Sequence, residues 1–259
     1  MIIPGMVSAT FRDQSADEVL RLCRLADLKG IEWSEHAHVF PEDLEGARKL
    51  GEQTRKEGLM VAAYGSYFRL GNEKEPEEAF LKSVKAAAAL GAPIIRIWAG
   101  TKPSAQVGKE EFSNLCKEAK AVAEIAASHG IKTAFEWHKD TLTDTNDSAM
   151  ELLKKADHDN LYCLWQPTAA LSMEERVRGI DLLGSRLLNL HIYYWADGKK
   201  FPLEEGKALW QQYFDHVDQT VCRYGLLEFV KDGKKEQFLE DAKVLHDMLN
   251  NQEREKRKE

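Results

Sequence analysis

Short apolar runs alternate along the whole chain with longer segments in which apolar residues return every three or four positions. The runs predict strands at 2–9, 31–34, 60–65, 93–98, 132–137, 161–165, 187–193 and 226–230. The intervening segments predict helices near 15–28, 41–57, 76–90, 109–129, 145–156, 172–183, 207–222 and 235–249. The helix after the fourth strand shows the period best. Phe112, Leu115, Cys116, Ala119, Val122, Ala123 and Ala126 form one stripe, and Lys, Glu and Asn fill the opposite face. Gly30, Gly58, Gly91, Gly130 and Gly225 fall between a helix and the next strand, where a residue tolerant of positive φ closes a helix. Ser15, Asp144 or Thr145, and Ser172 stand where a side-chain oxygen can cap a helix start.

Eight strand–helix units in 259 residues, with connections too long for hairpins, predict a single-domain α/β fold: a parallel (β/α)8 TIM barrel over residues 1–250. Residues 251–259 read as a charged, solvated tail. An open doubly wound sheet is the alternative. The first strand-to-helix turn, Ala9-Thr10-Phe11-Arg12-Asp13, carries no G-x-G-x-x-G, and no Walker-type phosphate loop occurs, so a nucleotide cofactor is not expected.

Composition narrows the function classes. With 43% hydrophobic and 31% charged residues the chain can bury a sizeable core. The net charge of −7 argues against sequence-independent binding to nucleic acid, and no apolar run is long enough to cross a membrane. The beginning, MIIPGMVSATFRDQ, lacks the features of a secretory leader, so a cytoplasmic location is the expectation. Cys23, Cys116, Cys163 and Cys222 form no C-x-x-C pair and read as reduced, mostly buried thiols.

In such a barrel, catalytic groups gather at the C-terminal ends of the strands, and alternate residues of a strand face inward. On the seventh predicted strand Leu188, Leu190 and Ile192 share the helix-facing phase, leaving Asn189, His191 and Tyr193 inward. On the eighth, Leu227 and Phe229 face out and Glu228 faces in. The fifth sends Glu136 and His138 inward, the sixth Gln166, and the fourth Arg96. Glu136, Gln166, His191 and Glu228 thus meet at one end of the barrel. Two carboxylates, an imidazole and an amide oxygen suit a divalent metal, which relieves carboxylate repulsion and acts as a Lewis acid.

The runs TAFEWHKDTLTDT, NLYCLWQPTAALS, LLNLHIYYW, GLLEFVKD and GIEWSEHAHV resemble the sugar phosphate isomerase/epimerase proteins of the xylose isomerase-like barrel superfamily. The resemblance spans essentially the whole chain. It implies a (β/α)8 barrel with a divalent ion (manganese, zinc, cobalt or magnesium) held by Glu136, Gln166, His191 and Glu228. It also implies Glu136 and Glu228 as the catalytic acid/base pair, exchanging a proton through a metal-stabilised enediolate. The family pattern has Asp followed three residues later by His where this chain has Gln166 and Ala169. A neutral amide implies a weaker ligand set, or one completed by water or His138.

Five of the six tryptophans, Trp33, Trp98, Trp137, Trp165 and Trp195, lie at predicted C-terminal strand ends. Indole faces suit the C–H faces of sugars. Trp33, His38, Tyr64, Arg96, Trp98, His138, Tyr193 and Trp195 are the expected substrate-binding residues, with Trp165 in the structural phase. Arg96 serves equally as a carboxylate neutraliser or an oxyanion binder. The loops after the last two strands, 195–200 and 231–233, form no Gly-rich phosphate cradle, which favours an unphosphorylated keto-sugar or polyol, and 196–206 reads as a lid.

The leading expectation is a metal-dependent isomerase or epimerase of a small carbohydrate. Alternatives are a dehydratase of a cyclic keto-polyol and a carbohydrate-binding barrel without turnover. A metal-dependent nuclease needs a basic surface and a ligand set richer in His and Asp. Homo-oligomers are common among such barrels.

Overall fold

The computed structural model describes residues 1–168 and 170–256. Ala169, singled out above, and the last tail residues lie outside the described residues. The barrel strands are β1 (Ile2–Val7), β2 (Gly30–Ser34), β3 (Met60–Arg69), β4 (Ile94–Trp98), β5 (Lys132–Glu136), β6 (Leu161–Trp165), β7 (Leu187–Ile192) and, after a short hairpin of β8 (Tyr194–Ala196) and β9 (Lys199–Phe201), β10 (Arg223–Leu227). They close in the order β1-β10-β7-β6-β5-β4-β3-β2, every barrel pair parallel. Outside them run α1 (Ala16–Leu25), α2 (Leu44–Lys56), α3 (Pro76–Leu90), α4 (Lys109–Ser128), α5 (Asn146–Ala156), α6 (Met173–Leu183), α7 (Lys207–His216) and α8 (Lys235–Lys256). This is the single (β/α)8 barrel expected from the alternation.

Local chemistry accounts for the boundaries. The side chains of Ser15, Thr145 and Ser172 accept hydrogen bonds from the backbone N–H three residues on and cap α1, α5 and α6. Gly91 closes α3 at φ 79°, a conformation costly for any residue with a Cβ. The α4 stripe is buried from Leu115 to Ala126 and packs on the sheet. Strand alternation then separates two apolar layers. Ile31, Trp33, Ile95, Ile97, Phe135, Cys163, Trp165, Leu190, Ile192 and Leu227 join the large core between sheet and helices. Ala63, Ile94, Ala134 and Leu164 fill the barrel interior. Small and medium side chains there leave the mouth to larger polar ones.

Three expectations are corrected. A register shift between β6 and β7 turns Leu187 towards the helices and Leu188 onto the inner cluster, so Leu188 does not share the phase of Leu190 and Ile192. Phe229 does not continue the outward phase of Leu227. It takes φ 54° and packs against the inner cluster of Val7, Ala9, Ala62 and Leu226. The stretch 196–206, read as a lid, begins in the β8–β9 hairpin, turned by Asp197-Gly198 with both residues at positive φ, the pairing that matches strand twist. Finally, 251–256 continue α8 rather than fraying. Cys23, Cys116 and Cys163 are buried and Cys222 is exposed, all unpaired, and burial pushes the thiols of Cys23 and Cys163 up to about 12. Among the described residues no helix is long and apolar enough to cross a membrane.

Candidate metal centre

The inward positions of β2, β4, β5, β7 and the residue after β10 deliver Glu32, Arg96, Glu136, His191 and Glu228 to one buried cluster, each side chain no more than 6% exposed. One ligand atom each from Glu136, His191 and Glu228 lies within 4.8 Å of the other two, a group able to hold a metal ion. His191 Nδ1 stands 3.3 Å from Glu228 Oε2 and 3.8 Å from Glu136 Oε1. Both His191 Nδ1 and Glu136 Oε2 are buried without a hydrogen-bond partner. A buried, unsatisfied imidazole nitrogen facing two carboxylates is costly in a metal-free protein and apt for a cation. The donor set therefore fits a divalent ion.

The other face of the imidazole is anchored. His191 Nε2 lies 3.1 Å from Glu32 Oε2, and Arg96 Nε donates to Glu32 Oε1 at 3.3 Å. A proton on Nε2, shared with Glu32, leaves the Nδ1 lone pair for a metal, the carboxylate–histidine arrangement that orients many such ligands. Glu32 was missed in the sequence, although it interrupts Gly30-Ile31-Glu32-Trp33-Ser34 as Glu136 interrupts its own strand. Arg96 donates to the Ser66 carbonyl at 3.0 Å, reaches Glu136 Oε2 at 3.3 Å and lies under the Trp98 ring at 4.5 Å. These contacts are those of a carboxylate neutraliser. Gly65 makes the approach possible, because a Cβ there would sit 2.7 Å from Glu32 Oε1 and 2.9 Å from Arg96 Nη2.

Charge completes the case. Glu32, Glu136 and Glu228 against one guanidinium leave two uncompensated negative charges, which one divalent ion neutralises. In the metal-free chain a proton partly does so: burial lowers the pKa of His191, but Glu228 and Glu32 outweigh it and hold the pKa well above the usual imidazole range. Burial likewise disfavours the Glu32 carboxylate, yet His191 and Arg96 bring its pKa below the ordinary value.

Gln166 joins the cluster as a hydrogen-bond partner. Its Nε2 donates to Glu136 Oε1 at 2.9 Å, so the orientation shown presents an amide N–H₂ rather than an oxygen to the centre. Around the mouth stand Trp98, Tyr193, Trp195 and the half-buried His138, whose ring lies 6.3 Å from Trp98. The Tyr193 hydroxyl donates to the Pro167 carbonyl, and Trp195 lies 5.0 Å from the Tyr193 ring.

Three expected substrate contacts are not brought to this mouth. Trp33 faces α2, where its indole N–H donates to Thr54. Tyr64, paired in register with Trp33, is fully buried in the outer core. His38 is held between the Ser8 hydroxyl and the Gln14 carbonyl, packed edge-on against Trp33. Strand phase separates Trp33 and Tyr64 from the rim residues, and His38 lies on the loop after β2. Trp165, as expected, is structural and packs on Trp210 and Tyr213.

A family model described as a xylose isomerase-like TIM barrel matches residues 20–248. The chain belongs to the xylose isomerase-like TIM barrel family. It is similar to a 3-dehydroshikimate dehydratase of Bacillus anthracis, 26% identical over 164 residues, which are 61% of this chain and 59% of that protein. The match thus spans less than two thirds of that relative's length. Among solved structures it resembles the probable 3-DHS dehydratase AsbF of Bacillus anthracis, with TM-score 0.78, 21% identity, and coverage of 95% of this chain and 99% of the other. It resembles an L-ribulose 3-epimerase with TM-score 0.77, 13% identity and coverage of 99% and 97%. It also resembles the IolI protein with a bound zinc atom, with TM-score 0.73, 16% identity and coverage of 96% and 99%. At these identities the structural likeness is one of fold.

Proposed function

We propose that this family member is a divalent-metal-dependent enzyme that removes the proton beside a carbonyl of a small polyhydroxylated substrate and then expels a hydroxyl as water. The observation that carries this reading is the unequal engagement of the two central carboxylates. Glu136 is held at one oxygen by Gln166 and faces the Arg96 guanidinium with the other. Among the described residues the one ion-pair contact of Glu228 is with His191, through Oε2. In this reading Glu228 Oε1 takes the proton, while Glu136 serves as a ligand. A bound divalent ion supplies Lewis acidity at the substrate carbonyl.

Elimination needs one such base. The substrate C–H bond breaks to Glu228, its electron pair forms the new double bond, and the departing hydroxyl leaves with the proton that Glu228 carries. Where the sequence favours isomerisation, the unequal carboxylates and the similarity to a dehydratase support dehydration as the leading reading. Epimerisation is the second reading, favoured by the proximity of Glu136 and Glu228 oxygens, since inversion needs one group to remove and another to return the proton.

Incubating metal-loaded protein in deuterated water with cyclic and open-chain keto-polyols distinguishes the two by mass. Dehydration predicts a product lighter by one water, abolished by Glu228→Gln. Recovery of an intact substrate carrying solvent deuterium at the carbon beside the carbonyl supports epimerisation instead, and neither change in any compound overturns both.

A further inference from the structure

Cations and aromatic faces alternate around the barrel mouth one layer above the carboxylates. The Arg69 guanidinium carbon lies 4.0 Å from the centre of the Trp98 ring, and Trp98 meets Tyr67 edge-on at 5.3 Å. Arg12 lies 5.7 Å from Tyr67 and 5.9 Å from Phe229. Lys200 lies 4.9 Å from Phe229 and 5.2 Å from Trp195. The ring is tied to the cluster below by chain position: Trp98 follows Arg96 by two residues, and Phe229 follows Glu228 directly. Phe229 holds its place at φ 54°, a strained conformation for an aromatic residue.

The three cations come from separate segments: Arg12 from the first strand–helix loop, Arg69 from the end of β3, and Lys200 from the hairpin. Elsewhere arginines find carboxylates, as Arg21 does with Glu18 and Arg178 with Asp147. Among the described residues Arg12, Arg69 and Lys200 have neither a carboxylate within ion-pairing distance nor a side-chain hydrogen bond. Their N–H groups are therefore available, and aromatic faces limit their spread. With a divalent ion neutralising the cluster beneath, these three cations at the mouth stand against aromatic faces rather than carboxylates.

We propose that this rim binds an oxyanion of the substrate, a carboxylate or a phosphate, making the substrate an acidic polyhydroxylated compound rather than a neutral sugar. Guanidinium forks match planar carboxylates and phosphates alike, and Lys200 adds a point charge from the opposite side. The inference rests on the reading above for where the substrate sits. It assigns specificity to residues remote in sequence from the metal ligands.

Calorimetric titration of the metal-loaded protein with D-glucose, D-glucuronate and glucose 6-phosphate, which differ at one carbon, tests it. At low salt at least one of the two anions binds about tenfold tighter than glucose, and the tighter one identifies the oxyanion preferred. The double variant Arg12→Gln/Lys200→Gln abolishes that difference. Three ligands that bind alike to the unaltered protein, or not at all, overturn the proposal, as does a preference that survives in the double variant. Cobalt titration of the same samples is the control: cobalt affinity unchanged by the rim substitutions places any lost preference at the rim, whereas failure to bind cobalt counts against the metal-dependent reading instead.

Discussion

His191 and Glu32, 159 residues apart, share a contact of 3.1 Å between Nε2 and Oε2 in a part of the barrel where neither side chain is exposed to solvent. The contact fixes which imidazole nitrogen faces Glu136 and Glu228. It makes Glu32 a positioning residue: it touches neither the proposed metal nor the substrate, and acts through the ligand.

Glu32→Gln keeps an oxygen able to accept from His191 but removes the charge. Affinity for zinc or cobalt is expected to fall by about tenfold to a hundredfold, with the fold retained. Glu32→Ala also strips Arg96 of a buried partner and is expected to cost about 3–5 kcal/mol in denaturant unfolding. Equal metal affinity in Glu32→Gln and the unaltered protein contradicts the positioning role.

Gln166→Asp exchanges the amide that bonds Glu136 for a carboxylate. Without metal it adds a like charge beside Glu136, so the Tm of the chelated protein is expected to drop. With metal it supplies a charged ligand, so the metal-induced rise in Tm grows. Thermal scans with and without zinc measure both changes.

Trp33 and Tyr64 serve as controls for the site assignment. Trp33→Phe loses the hydrogen bond to buried Thr54 and is expected to cost about 1–3 kcal/mol of stability while metal affinity stays the same. Denaturant unfolding and metal titration of the same variant measure the two separately.

These residues also show what a sequence discloses. Glu136, His191 and Glu228 are legible because each breaks an otherwise apolar strand in the inward phase, and burying an ionisable side chain there needs a partner. Glu32 carries the same mark, breaking Gly30-Ile31-Glu32-Trp33-Ser34, but Trp33 and the histidines that follow give that stretch an equal look of substrate contacts. Trp33 stands near the end of β2 as Trp98 ends β4, and Tyr64 pairs with Trp33 from the middle of β3; phase sends both outward. Where phase itself breaks, periodicity fails: the irregularity at Leu187–Leu188 and the left-handed Phe229 are conformations that alternation does not encode. The hairpin was written in Asp197-Gly198, a turn pair hidden within a polar stretch.

The central claim is that Glu136, His191 and Glu228 together hold one divalent ion. Calorimetric titration of zinc, manganese and cobalt into chelator-treated protein tests it most directly, with His191→Ala, Glu136→Ala and Glu228→Ala alongside. The arrangement predicts one equivalent of at least one of these metals in the unaltered chain and a loss of at least about tenfold in affinity in each variant. Absence of binding, or binding that all three variants preserve, contradicts it.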